Sequence, residues 1–264
     1  MVFKRFMRAL GIGGPTVETV LDSTEVTPGG VLTGRVEITG GDHDTEIEKI
    51  SLFLEAEVEH EYEYEYEDSE GEEVSGEGEY TSTARWGTLQ VCDAFSLPAE
   101  TKRTFEFELP IPFEAPVTVV GDTPLGGPKI GVRTRLHVDG ALDKGDLDAI
   151  TVRALPVQEK ILAAFADLGF SFAKMDLEPG KLIGTEQRLP FHQEIEFGAS
   201  PHYGDTVGDV ELSFVADDEG TFVVLQIGAL DDAGHTFRVS HADADEDVDW
   251  AELLAARFAA ALDR

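Results

Sequence analysis

The sequence predicts an all-β protein in two halves, the first a β-sandwich, with a short helix at the N-terminus and another at the C-terminus. Three observations lead there. Apolar residues alternate with polar ones in many short runs, Gly- and Pro-rich turns separate those runs, and helical periodicity is confined to three short stretches.

The first helical stretch carries Val2, Phe3, Phe6, Met7 and Leu10, with Lys4, Arg5 and Arg8 between them, until Gly11, Gly13, Gly14 and Pro15 stop the pattern. Val17, Thr19 and Leu21 then alternate, and Thr27-Pro28-Gly29-Gly30 turns the chain into Leu32, Gly34, Val36 and Ile38. From Leu52 the alternation is long: Leu54, Ala56, Val58, His60, Tyr62, Tyr64 and Tyr66 share one face, and Glu55 to Glu67 occupy the intervening positions. A period of two held this long predicts a ribbon with one wet face. Asp68 to Glu72 reads as its turn, and Tyr80, Ser82, Ala84 and Trp86 as the returning strand. The tyrosines are expected to pack into a core or under a neighbouring loop, the alternative being an exposed docking strip.

Further strands are predicted at 95–98, 104–110, 130–138 and 150–152, with an acidic turn from Asp139 to Asp148 before the last. Leu155-Pro156 marks the expected domain boundary, giving lobes 1–154 and 155–264. A short helix follows through Ile161, Leu162, Phe165 and Leu168 to Gly169, then strands near 170–172, 193–197, 210–215, 221–227 and 237–239. Asp249-Trp250 opens the terminal amphipathic helix, with Leu253, Leu254, Phe258 and Leu262 on one side.

Composition narrows the function classes. Acidic residues number 53 against 20 basic ones, a formal net charge of -33, and only 8 of the basic residues are lysine. Nucleic acid needs Lys and Arg to replace its counterions, so it is excluded as a partner; an anionic bilayer is disfavoured for the same reason. We read the acidity as that of a halophile, where concentrated salt screens self-repulsion. No apolar run is long enough to span a membrane, and the N-terminal segment lacks a small-residue cleavage site, so a cytoplasmic location is expected.

Chemistry is sparse. Cys92 is the single cysteine, with no neighbouring positive charge to favour a thiolate. The serines sit in no nucleophile elbow, and no Gly-rich loop offers a phosphate-binding lysine. Asp139, Asp143, Asp146 and Asp148 resemble a solvated turn more than a Ca²⁺ loop. His192 and His202, or His235 and His241, lack the spacing of a helical metal pair. No catalytic residue, metal or cofactor is assigned. The residues singled out for interaction are Phe3, Phe6, Met7, Leu10, Tyr62, Tyr64 and Tyr66.

At this point the chain resembles the sporulation-control proteins of the stage 0 M type, a family with an arrestin-like fold. The resemblance rests on Gly11-Ile12-Gly13, Pro28-Gly29-Gly30 with Gly34 to Ile38, Leu142 to Asp148 before Ile150, Leu168-Gly169-Phe170, and Leu189 to Phe197. It covers residues 2 to about 200. It implies two β-sandwich lobes and an interaction or regulatory role without enzyme activity. Recognition of phosphorylated tails in the manner of arrestins needs basic residues on the first strand, where this chain has Glu18 and Asp22. The expected function is therefore a non-catalytic interaction or scaffold module with a protein partner, possible self-association through sheet edges, and at most peripheral membrane contact. The alternatives are a Ca²⁺-assisted or membrane-peripheral regulator using the acidic turn and first helix, and, remotely, a hydrolase.

Overall fold

The computed structural model describes residues 13–67, 73–139, 144–203, 206–228 and 235–262. Phe3, Phe6, Met7 and Leu10 of the predicted first helix lie outside them, as do residues 140–143 of the acidic segment. The described chain is mostly strand, in open sheets, with two α-helices. The strands are β1 (Thr16–Leu21), β2 (Glu25–Val26), β3 (Val31–Thr39), β4 (Thr45–Glu67), β5 (Glu73–Cys92), β6 (Phe95–Leu97), β7 (Lys102–Pro110), β8 (Val119–Val120) and β9 (Thr123–Pro124). They continue as β10 (Gly131–Val138), β11 (Lys144–Ala149), β12 (Thr151–Val152), β13 (Ser171–Pro179), β14 (Phe191–Gly198), β15 (Val210–Ala216), β16 (Gly220–Ile227) and β17 (His235–Ser240). The helices are α1 (Pro156–Asp167) and α2 (Trp250–Leu262).

Two compact units emerge, the first made of Met1–Ala56, Arg85–Pro112 and Lys129–Val152. In it, β1, β3 and β7 form one antiparallel sheet, and β11, β10, β4 and β5 another, with β6 also paired to β4. The period-two pattern explains the core: Leu32, Val36 and Ile38 of β3 are buried, as are Ile50, Leu52 and Leu54 of β4, while their neighbours in β3 reach solvent. A buried hydroxyl pair, Thr19 Oγ1 with Thr134 Oγ1, joins β1 to β10. Gly34 is required where β3 passes β1, since a Cβ there would sit 2.5 Å from the Val20 carbonyl oxygen.

One expectation is corrected here. Asp146 and Asp148 lie not in a turn but on β11, where Asp146 pairs with Thr134 and Asp148 with Val132. Turn-forming composition yields to the hydrogen-bond ladder offered by β10, and the two carboxylates turn to the half-buried face beside β1, where the Thr19 N–H donates to Asp146 Oδ2 at 3.4 Å, while Leu147 stands in solvent.

The second unit comprises Glu57–Ala84, Phe113–Pro128 and Arg153–Arg264. Its sheet is an antiparallel meander in the order β13-β14-β15-β16-β17. Helix α1 begins with proline at its first position, where a missing N–H costs nothing, and Gln158 Oε1 accepts the Leu155 N–H at 2.8 Å. The apolar faces of α1 and α2 meet in an aromatic cluster: Phe165 stacks on Phe197 at 4.4 Å between ring centroids and meets Phe258 edge-on at 6.0 Å, and Phe170 contacts both Phe258 and Tyr203. The segment before β8 is tied in by Gln193, whose amide makes both hydrogen bonds to the Val117 backbone, and by Glu114, which accepts the N–H groups of Arg188 and Leu189.

Candidate functional site: an aromatic ribbon and a carboxylate face

The face of β4 that is buried from Leu52 to Val58 emerges into solvent further along the strand. Tyr62, Tyr64 and Tyr66 are 49%, 41% and 56% exposed, and Tyr80 of β5 is 54% exposed. This overturns the expectation that the tyrosines are packed away; the ribbon outruns the core that its first half helps to build. The rings form a continuous row. His60 stacks on Tyr80 at 4.6 Å and 9° between planes, Tyr62 neighbours both Tyr80 and Tyr64 at 6.2 Å, and Tyr64 neighbours Tyr66 at 6.1 Å. His60 Nε2 is also hydrogen-bonded to Ser82 Oγ at 2.6 Å.

The rings rest on the adjacent strand because that strand carries glycine. A Cβ at Gly78 would lie 2.7 Å from the Tyr62 ring, and one at Gly76 would lie 2.6 Å from the Tyr64 hydroxyl. Aromatic side chains laid over cross-strand glycines restore the packing those positions lack. Even-numbered positions of the ribbon thus present a neutral aromatic face, while Glu59 and Glu61 of β4 and Glu79 of β5 occupy the opposite one.

A second constellation lies on one face of the meander. The pairs Glu178–His192, Asp176–Glu194, Lys174–Glu196 and Glu196–Glu211 place alternate residues of β13, β14 and β15 side by side. Ligand atoms of Glu178, His192 and Glu194 all lie within 4.8 Å of one another. His192 Nε2 and Glu194 Oε1 are hydrogen-bonded at 2.8 Å, and the two side chains are only 10% and 8% exposed. Burial, then repulsion from Glu194 and a shared hydrogen bond with it, push Glu178 up to about 8. Burial and the neighbouring Glu194, Glu196 and Glu61 raise Glu211; burial and Asp176 raise Glu59. Lys174 is committed elsewhere on the face, with Nζ 3.0 Å from Asp176 and 2.9 Å from Glu196, and these hydrogen bonds raise its pKa.

The remaining sequence candidates fall apart in space or in chemistry. Burial pushes the Cys92 thiol up, away from a reactive thiolate. His241 Nε2 bonds the Asp217 carbonyl at 2.8 Å, and its ring stacks on Phe113. His192 is gathered with two carboxylates and not with His202. Sequence reasoning missed Glu178 and Glu194. The local signal was His192-Gln193-Glu194, two ligand types at strand spacing, but Glu178 joins them only through the register of β13 on β14. A small cavity of about 10 Å³ beside His192, lined also by Glu114, Gln187 and Gln193, is large enough for roughly one water and too small for a substrate. No helix among the described residues is long and apolar enough to cross a membrane.

Comparison with known proteins gives a consistent picture. Residues 3–229 match the family described as SpoOM protein. The sporulation-control protein spo0M of Bacillus subtilis (strain 168) is 29% identical over 226 residues, covering 85% of this chain and 80% of that protein. The crystal structure of Spo0M, sporulation control protein, from Bacillus subtilis superposes with a TM-score of 0.76 at 24% identity, covering 94% of this chain and 99% of that one.

Proposed function

The chain belongs to the SpoOM protein family, and from that membership we propose that it is a non-catalytic interaction or scaffold module of the arrestin-like, two-lobed type, working in a salt-accumulating cytoplasm. The observation that carries this reading is the row of four exposed tyrosines along one ribbon, two of them, Tyr62 and Tyr64, laid over cross-strand glycines. Rigid aromatic rings give a partner a large contact area at small entropic cost, which is why tyrosine is enriched where proteins dock. The partner that fits is a protein segment bearing Lys or Arg. Ring faces attract cations, and a chain of net charge -33 draws basic partners and repels acidic ones. The curated relative bears a regulatory name, in keeping with a role exercised through binding.

The test is chemical cross-linking and affinity capture at multimolar KCl, comparing the native chain with a Tyr62→Ala/Tyr64→Ala variant whose circular dichroism is unchanged. Loss of a stoichiometric partner by about tenfold or more supports the reading. Equal capture by both proteins overturns it.

A further inference from the structure

We propose that Glu178, His192 and Glu194 form a binding site for one divalent cation of the Mn²⁺ or Zn²⁺ class. The site does not depend on a docking role for the tyrosine row, although Glu61 of the ribbon lies close enough to repel Glu178. Its ligands come from two paired strands, the scaffold least able to let them drift: Glu178 faces His192 across the β13–β14 ladder, and Glu194 lies two residues further along the same face. Their ligand atoms, already within 4.8 Å of one another, need only small side-chain adjustments to close on one ion at the roughly 2.0–2.2 Å of metal–nitrogen and metal–carboxylate bonds.

Three polar atoms on this face are buried without a hydrogen-bond partner: Asp176 Oδ2, which has only the Lys174 ammonium beside it at 3.0 Å, His192 Nδ1 and Ser213 Oγ. Ser213 is 1% exposed and lies on β15 two residues from Glu211, which pairs with Glu196; alternation therefore puts it on the face of Glu194. A buried hydroxyl left unbonded costs stability, and a metal-bound water or the ion itself would satisfy it. The only other cation named on this face, Lys174, is held by Asp176 and Glu196. Between Glu178 and Glu194 stand the His192 imidazole and one hydrogen bond that the two carboxyls share, so a proton holds the place where an ion would sit. The donor set selects the ion class. One imidazole with two carboxylates suits borderline divalent metals, whereas Ca²⁺ takes six to eight oxygen ligands.

The experiment uses the full chain, stripped with chelator and held in multimolar KCl. Mn²⁺ is titrated in while the free ion is followed by electron paramagnetic resonance, and Zn²⁺ is then added as competitor. Saturable uptake of one Mn²⁺ per chain, displaced by Zn²⁺ and weakened about tenfold or more in Glu178→Gln and in His192→Gln, is the expected result; Glu252→Gln, exposed in the first turn of α2, leaves it unchanged. Glu178→Gln relieves repulsion and should fold. Should His192→Gln fail to fold, paramagnetic broadening of the His192 ring signals in the native chain reads the same contact. No uptake, non-saturating uptake of many ions, or equal uptake by native chain and both variants overturns the site.

Discussion

Asp148 and Glu55 show how one residue type, the buried carboxylate, is handled in opposite ways within the first unit. Burial would raise Glu55, but hydrogen bonds from Arg133 at 2.6 Å and Arg85 at 2.8 Å outweigh it and hold the carboxyl below its ordinary range. Asp148 has no such help. Burial, with Asp146 and Glu18 nearby, pushes it up to about 6, and Oδ2 is buried without a partner. Because the folded state holds this proton more tightly than the unfolded chain, stability attributable to Asp148 is present at low pH and is lost as pH rises toward about 6. Asp148→Asn, which cannot ionise, should therefore raise the thermal midpoint by roughly 2–4 °C at pH 7.5, with a smaller gain at pH 5, in calorimetric scans at constant salt. An equal gain at both pH values would show that charge is not the cause. The carboxylate's type was legible in the sequence; its surroundings, drawn from β1 and β11, were not.

Among the elements, the β4–β5 ribbon was the most legible in outline and the least in environment. Strict alternation from Leu52 to Tyr66 predicts a strand of this length with one amphipathic face, as observed. Alternation tells which residues share a face but not whether a second layer covers that face, so the tyrosines were misread as packed. Their support is specific: replacing Gly78 with valine forces a side chain into the Tyr62 ring, which must lift from the strand. We expect Gly78→Val to perturb the tyrosine near-ultraviolet circular dichroism and to weaken partner capture, with a stability loss of about 1 kcal/mol or less, because valine's strand propensity offsets part of the lost ring contact. Unchanged near-ultraviolet spectra would show that the rings do not rest on the glycines. The helices were legible from their 3.6-residue spacing, and Phe165 and Phe258 indeed occupy their buried faces. Strand β13 extends well past the predicted 170–172: the buried Met175 and Leu177 alternate with Lys174, Asp176 and Glu178, a period-two signal that the sequence carries and the prediction did not use.

For the molecule as a whole, a charge of -33 makes salt a structural component. The Debye length shrinks from about 10 Å at 0.1 M to about 3 Å at 1 M, so carboxylates that repel one another across the sheet faces are decoupled in concentrated salt. Thermal unfolding monitored by circular dichroism should show the midpoint falling steadily as KCl is lowered from multimolar toward 0.1 M, the reverse of a fold held by exposed ion pairs. A midpoint independent of KCl would remove the case for a salt-adapted surface. The amino-acid sequence alone determined the strand-rich class and the two helices, since periodicity is read from neighbours in the chain. Tertiary structure alone decided that the tyrosines stand in solvent and that Glu178 meets His192 and Glu194, because both depend on strand register and layer coverage, which are set by contacts between segments far apart in sequence.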